Sequence, residues 1–186
     1  MPAMRAKLPV LLVLAVGVAS AFGQERPQFP DLELLDNGGR PLALSAVIGK
    51  ATVLNFWATW CGPCRVELPE LQKLYNELGG KGLVVLPVNV DHPALRKDMF
   101  DQDTARVRPR VESFAAGSGL TLPMYYVDGP TQSRLGLGVI PLTVLLDRKG
   151  GVVRTYDGYS SEGMRDLREL VAQLLAESSG KKGNAK

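Results

Sequence analysis

The sequence predicts an α/β fold: a central mixed sheet flanked by helices, entered through a β-hairpin. Three observations carry that expectation. Apolar, β-prone runs at 51–57, 83–90 and 142–147 alternate with segments of helical spacing. Arg148-Lys149-Gly150-Gly151 joins two strand patterns, 142–147 and 152–156, as a hairpin, whose strands run antiparallel. Strands separated by helices are the signature of parallel neighbours, so the sheet as a whole is mixed.

Each element has its own reason. Phe29-Pro30-Asp31-Leu32-Glu33-Leu34 alternates apolar and polar residues, Asp36-Asn37-Gly38-Gly39 marks a tight turn, and 40–45 returns with Leu42 and Leu44. Residues 51–57 form a buried strand. From Glu67, Leu68, Leu71, Leu74, Tyr75 and Leu78 recur at helical spacing until Gly79-Gly80. Pro69 predicts a kink or a delayed regular start in that helix. Pro87 lies inside the next strand, where a missing N–H calls for a bulge or an edge position at that point. Residues 92–119 are less regular. Leu95 and Met99 suggest one short helical stretch, and Val107, Val111 and Phe114 another after Pro109. Arg106, Arg108 and Arg110 read as a solvated helix face rather than a partner-binding patch. A short strand at 124–127 and a short helix or turn at 130–137 follow. Met164, Leu167, Leu170, Val171 and Leu174 give a last amphipathic helix capped near Ser160 or Ser161.

Three regions divide the 186 residues. Residues 1–23 read as a signal peptide: Arg5 and Lys7 precede an apolar core from Leu8 to Val18, and small residues follow. Cleavage after Ala21 or Gly23 fits, with Gly23 preferred; an uncleaved anchor is the other reading. No cysteine stands at the junction, which excludes a lipid-attached start. Residues 24–177 form the folded domain, and the Gly/Ser/Lys-rich 178–186 are expected to be a disordered tail. Without Arg5 and Lys7, the 22 basic side chains fall to 20 against 19 acidic ones. So slight an excess gives no footing for nucleic acid. The domain is expected to face an exported, disulfide-permissive space.

Chemistry concentrates at one motif. Val53-Leu54-Asn55-Phe56-Trp57 leads into Cys61-Gly62-Pro63-Cys64, which holds both cysteines of the chain, and then into the first helix. A helix starting there aims orphan N–H groups and a partial positive charge at its first turn, so a thiolate at Cys61 is stabilised below the free thiol value of about 8.5. Cys64 stands one turn on, within reach of a mixed disulfide on Cys61. Pro63 has no N–H to leave unpaired in a first turn, and Gly62 lets another backbone approach the sulfur. With His92 as the lone histidine, a four-ligand zinc set cannot be completed. Arg65 after Cys64 excludes the haem-attachment pattern. A purely structural bridge gains little from closing so short a loop.

The stretch Phe56-Trp57-Ala58-Thr59-Trp60-Cys61-Gly62-Pro63-Cys64 resembles the active site of the thioredoxin superfamily. Arg65-Val66-Glu67-Leu68-Pro69 and Gly138-Val139-Ile140-Pro141-Leu142-Thr143 resemble its exported TlpA/ResA-type thiol–disulfide oxidoreductases. The resemblance spans about 29–176 and implies a thioredoxin-like fold with an inserted helical segment after Asp91. It implies that Cys61 attacks and Cys64 resolves, with the redox-active Cys61–Cys64 disulfide in place of any cofactor and no metal. It also implies a cis Ile140–Pro141 bond facing the cysteines, with the Ile140 backbone, Pro141, Trp60, Gly62 and Pro63 meeting the substrate. Trp57 is expected in the core. Many thioredoxins hold a buried acid where Asn55 stands, and an amide relays no proton. Glu67, three residues past Cys64, matches the acid that ResA-like members place near the pair, and the resemblance implies that it tunes Cys64 and takes its proton; the alternative is an acid merely favoured in a helix's first turns.

As partners the resemblance implies protein thiols and disulfides and a membrane electron donor, with membrane attachment only if the leader is retained. It implies a bacterial periplasm or outer membrane face, and a reductant of exported proteins, with apocytochrome c or copper-site maturation proteins as clients. The alternative is a Cu(I)-binding maturation module using the same two thiolates, with or without His92. A thiol peroxidase fits less well, because Thr59 is one residue out of register for such a site.

Overall fold

A computed structural model of the chain describes residues 26–91 and 104–177. The signal peptide, the tail, His92, and the helical stretch expected from Leu95 and Met99 lie outside them. Among the described residues, seven strands form one sheet: β1 (Glu33–Leu35), β2 (Pro41–Ala43), β3 (Ala51–Trp57), β4 (Leu83–Asn89), β5 (Tyr125–Tyr126), β6 (Leu142–Asp147) and β7 (Val152–Asp157). Their order is β2-β1-β5-β4-β3-β6-β7. β3, β4 and β5 are parallel neighbours, while the pairs β1–β2, β1–β5, β3–β6 and β6–β7 are antiparallel, so the sheet is mixed as expected. The helices are α1 (Gly62–Leu78), α2 (Thr104–Gly117), α3 (Gly129–Leu135) and α4 (Ser161–Glu177).

Strand parity sorts the core. β3 is buried along its whole length because both faces of the sheet are covered there. Ala51 and Val53 of β3 pack with Leu71 and Leu74 of α1 and Leu167 and Val171 of α4. Leu54 and Phe56 face the opposite layer, made with Leu32, Leu34 and Leu44 and flanked by Leu135 after α3 begins. A third cluster sits at the C-terminal end of β3, where Trp57, Cys61, Cys64 and Leu68 meet Val107 and Val111 of α2. The N-terminal hairpin turns on Asp36, whose Oδ1 accepts from Gly38 N–H at 2.8 Å and Arg40 N–H at 3.0 Å. Gly39 takes φ +74° there, a conformation that glycine adopts without a Cβ penalty. Ser160 caps α4 through its Oγ, which accepts from Gly163 N–H at 3.0 Å.

The prolines meet the sequence expectations in part: Pro87 takes the edge position, one of the two accommodations expected, whereas Pro69 and Pro109 lie inside helices. Pro87 needs no bulge, since β3 and β4 pair without a break from Ala51↔Leu83 to Trp57↔Asn89. Val90 N–H donates to Trp57 O, so the N–H groups of residues 88 and 86 also aim at β3, and position 87 aims at β5. The β5 ladder begins only at Val88, so at Pro87 the strand is an edge on that side. Pro69 does not delay α1, which starts at Gly62 and continues through it. Leu68, Leu71 and Leu74 are buried on one face, and that packing outweighs the local cost. α2 likewise starts before Pro109 and contains it, instead of following it. Nor are its arginines all on a solvated face. Arg110 is exposed, but Arg108 is half-buried with its guanidinium 6.0 Å from the Tyr126 ring centroid.

Candidate active site

β3 delivers the chain to the cysteines through a turn in which Cys61 N–H donates to Ala58 O at 3.1 Å. Cys61 is the N-cap of α1, with φ −82° and ψ 108°, and Pro63 occupies the first turn. Cys64 N–H donates to Cys61 Sγ at 3.2 Å. An orphan first-turn donor is thus aimed at the first sulfur, the arrangement that favours negative charge there. The two sulfurs form a disulfide. Cys61 keeps 5% of its surface exposed, whereas Cys64 is fully buried, so the outer sulfur is the one that an incoming group meets.

Apolar side chains are exposed near the motif in the chain. Trp60 is 61% exposed, Val66 on α1 52% and Val139 54%; Gly62 and Pro63 are exposed as well. Nothing lies within 4 Å of where a Cβ on Gly62 would stand, so the approach over it is open. Trp57, in contrast, is fully buried. The Ile140–Pro141 peptide is cis. Ile140 O lies 3.7 Å from Cys61 Sγ; in the disulfide this is a contact, and in the dithiol an S–H could donate across it.

Behind the cysteines lies a polar cluster in an otherwise apolar layer. Glu67 is on α1, three residues past Cys64 and on the same helix face, and only 2% of it is exposed. Asn55 Nδ2–H donates to Glu67 Oε2 at 3.0 Å and to Thr143 Oγ1 at 2.8 Å. Thr143 Oγ1–H donates to Glu67 Oε1 at 2.9 Å. Asn55 and Thr143 stand directly opposite each other on β3 and β6. Burial pushes the Glu67 carboxyl up to about 7, against the downward pull of the Thr143 and Asn55 hydrogen bonds. A carboxyl that changes charge near neutral pH is placed one turn from the buried sulfur. Among the described residues, no three His, Cys, Asp or Glu side chains gather as a metal-binding group.

The match to known families is consistent with this geometry. The model of the AhpC/TSA family matches residues 26–173. The chain belongs to that family. The thiol-disulfide oxidoreductase ResA of Geobacillus thermodenitrificans is 34% identical to this family member over 83% of the chain and 86% of the relative. ResA of Halalkalibacterium halodurans is 27% identical over 89% and 93%. A solved structure from Chlorobium tepidum, provisionally assigned as the thiol:disulfide interchange protein DsbE, superposes with a TM-score of 0.65 at 26% identity, covering 81% of this chain and 97% of that one. This AhpC/TSA member has the thioredoxin-like fold and is a disulfide oxidoreductase.

The fold therefore brings Cys61, Cys64, Trp60, Gly62, Pro63, Ile140 and Pro141 to one end of the sheet, with Glu67 beneath. Sequence reasoning noted Asn55 and Glu67 but not that Thr143 joins them. The available signal was a hydroxyl inside Leu142-Thr143-Val144-Leu145-Leu146, facing an equally isolated amide in β3. It also missed Asp91, whose carboxylate accepts from both the N–H and the O–H of Thr59.

Proposed function

We propose that this oxidoreductase reduces disulfides of exported proteins, with Cys61 as the attacking thiol and Cys64 as the resolving one. The observation that carries the reading is the first-turn N–H of Cys64 aimed at Cys61 Sγ, on the outer and reachable sulfur. The Cys61 thiolate attacks a client disulfide, forming a mixed disulfide and releasing one client thiolate. Cys64 then gives its proton to Glu67, and its thiolate attacks Cys61 Sγ. The second client thiolate leaves as the Cys61–Cys64 disulfide closes; the client disulfide has gained two electrons and the cysteine pair has lost them. Glu67, near neutral in pKa and held by Asn55 and Thr143, is suited to accept that proton and pass it on.

The client docks over Trp60, Gly62, Pro63 and the Ile140–Pro141 loop, where the exposed apolar surface offers side-chain contact and the Ile140 backbone an extended partner. Apocytochrome c or copper-site maturation proteins are the clients, and a membrane electron donor restores the reduced state. The signal-like residues 1–23 support export to a periplasm or outer membrane face. No helix among the described residues is long and apolar enough to cross a membrane.

Cys64→Ser, expressed with the leader intact, tests the reading. It should accumulate exported proteins as mixed disulfides on Cys61. Absence of captured protein, together with an inert, permanently oxidised wild type, would overturn it in favour of a structural bridge.

A further inference from the structure

The chain between β4 and β5 includes Asp91 and α2, and neither takes part in the proposed exchange. Both ends of this segment touch the cysteine motif. At the entry, Asp91 Oδ1 accepts from Thr59 N–H at 2.6 Å, and Oδ2 accepts from Thr59 Oγ1–H at 2.7 Å. Asp91 is itself fixed: its N–H donates to Asn89 Oδ1 at 3.0 Å, and the preceding Val90 N–H donates to Trp57 O at 2.8 Å. Further along, Phe114 of α2 has its ring centroid 5.3 Å from that of Trp57, and the Arg65 guanidinium carbon stands 5.4 Å from its centroid. Thr59 is two residues before Cys61, and Arg65 follows Cys64 directly.

We infer that Asp91 and Phe114 hold the cysteine motif in register, as positioning residues on either side of it. Thr59 opens the turn that carries Trp60 and Cys61, and no described group other than the Asp91 carboxylate bonds its hydroxyl. Two short bonds to one carboxylate leave that turn a single arrangement, the one that sets Cys61 Sγ beside Ile140 O. Loss of the carboxylate lets the turn sample others, and a displacement of about 1 Å at a reacting atom is enough to slow an in-line sulfur exchange. Phe114 restrains the opposite side of the motif through the face of its ring. Both act on the motif through its neighbours, Asp91 through Thr59 and Phe114 through Trp57 and Arg65.

The inference rests on Cys61 being the attacking thiol. The test uses the full reduced chain, the reduction of insulin disulfides, and alkylation of Cys61 by iodoacetamide at pH 7. The unfolding midpoint in urea reports on folding. Asp91→Ala should lower kcat/KM about tenfold, the weight of a charge-assisted hydrogen bond. Asp91→Asn should restore it to within about threefold, since an amide can accept from Thr59 N–H and donate to Thr59 Oγ1. Thr59→Val, which keeps only the backbone bond, should lose several-fold with an unchanged midpoint, and combined with Asp91→Ala it should add nothing. Phe114→Leu, which keeps apolar volume but offers no ring face, should cost about threefold.

Turnover of Asp91→Ala near wild type, an Asp91→Asn variant as slow as Asp91→Ala, or losses that multiply in the double variant would each overturn the inference. If Asp91→Ala does not fold, Thr59→Val decides alone: full activity contradicts the clamp. A Cys61→Ser control that still reduces insulin would instead sink the assignment of the attacking thiol.

Discussion

Replacing Glu67 with glutamine separates a titrating buried acid from a merely well-placed one. In the oxidised protein neither cysteine titrates, so the carboxyl can be followed by itself. Its pKa rises from 4.5 to about 7 on folding because burial disfavours the charged form. Between those values the folded chain keeps a proton that the unfolded chain has released. Stability from this group is therefore greatest below 4.5, falls as pH rises to about 7, and is flat above. A shift of that size corresponds to about 3 kcal/mol. Glutamine has no such step. It also has one acceptor oxygen for two donors, Thr143 O–H and Asn55 N–H, which costs about 1 kcal/mol. Glu67→Gln should thus be less stable than wild type by about 1 kcal/mol at pH 4 and more stable by about 2 kcal/mol at pH 8. Urea unfolding of both oxidised proteins across that range gives the difference directly. A difference that stays constant with pH would refute the burial of an ionisable carboxyl.

Two further variants probe the surroundings. Thr143→Val removes a donor to the charged carboxylate, so the Glu67 titration, followed by carbon NMR of its side-chain carboxyl, should move still higher; an unmoved or lowered value contradicts the cluster. Gln72→Ala deprives Thr121 N–H and Leu122 N–H of the Oε1 that both donate to, at 2.7 and 2.9 Å. With Leu122 buried, a loss of about 2 kcal/mol and faster amide exchange at that residue are expected.

Local signals in the sequence carried most of the architecture. The strand at 51–57, the helix of Leu68, Leu71 and Leu74, and the hairpin through Gly150-Gly151 all follow from pattern and turn chemistry, and all are present. The cysteine motif was legible for the same reason, since its chemistry depends on spacing and on the helix that follows. What stayed hidden depends on residues far apart in the chain. Asp91 reaches back 32 positions to Thr59, Thr143 lies 76 from Glu67, and Gln72 satisfies backbone groups 49 and 50 residues away. No local period announces such contacts. The late helix starts expected from Pro69 and Pro109 did not occur, because proline's cost is local and the burial that offsets it is not. At Pro87, the deciding fact was the shortness of β5, a property of the neighbouring strand.

Reactivity at Cys61 depends on the direction of one N–H, that of Cys64, toward its sulfur. Its most direct test is the pH dependence of Cys61 alkylation in the reduced chain, with Cys64 left in place. The midpoint for Cys61 is expected well below the ordinary thiol value of about 8.5. A midpoint at that value would contradict the account.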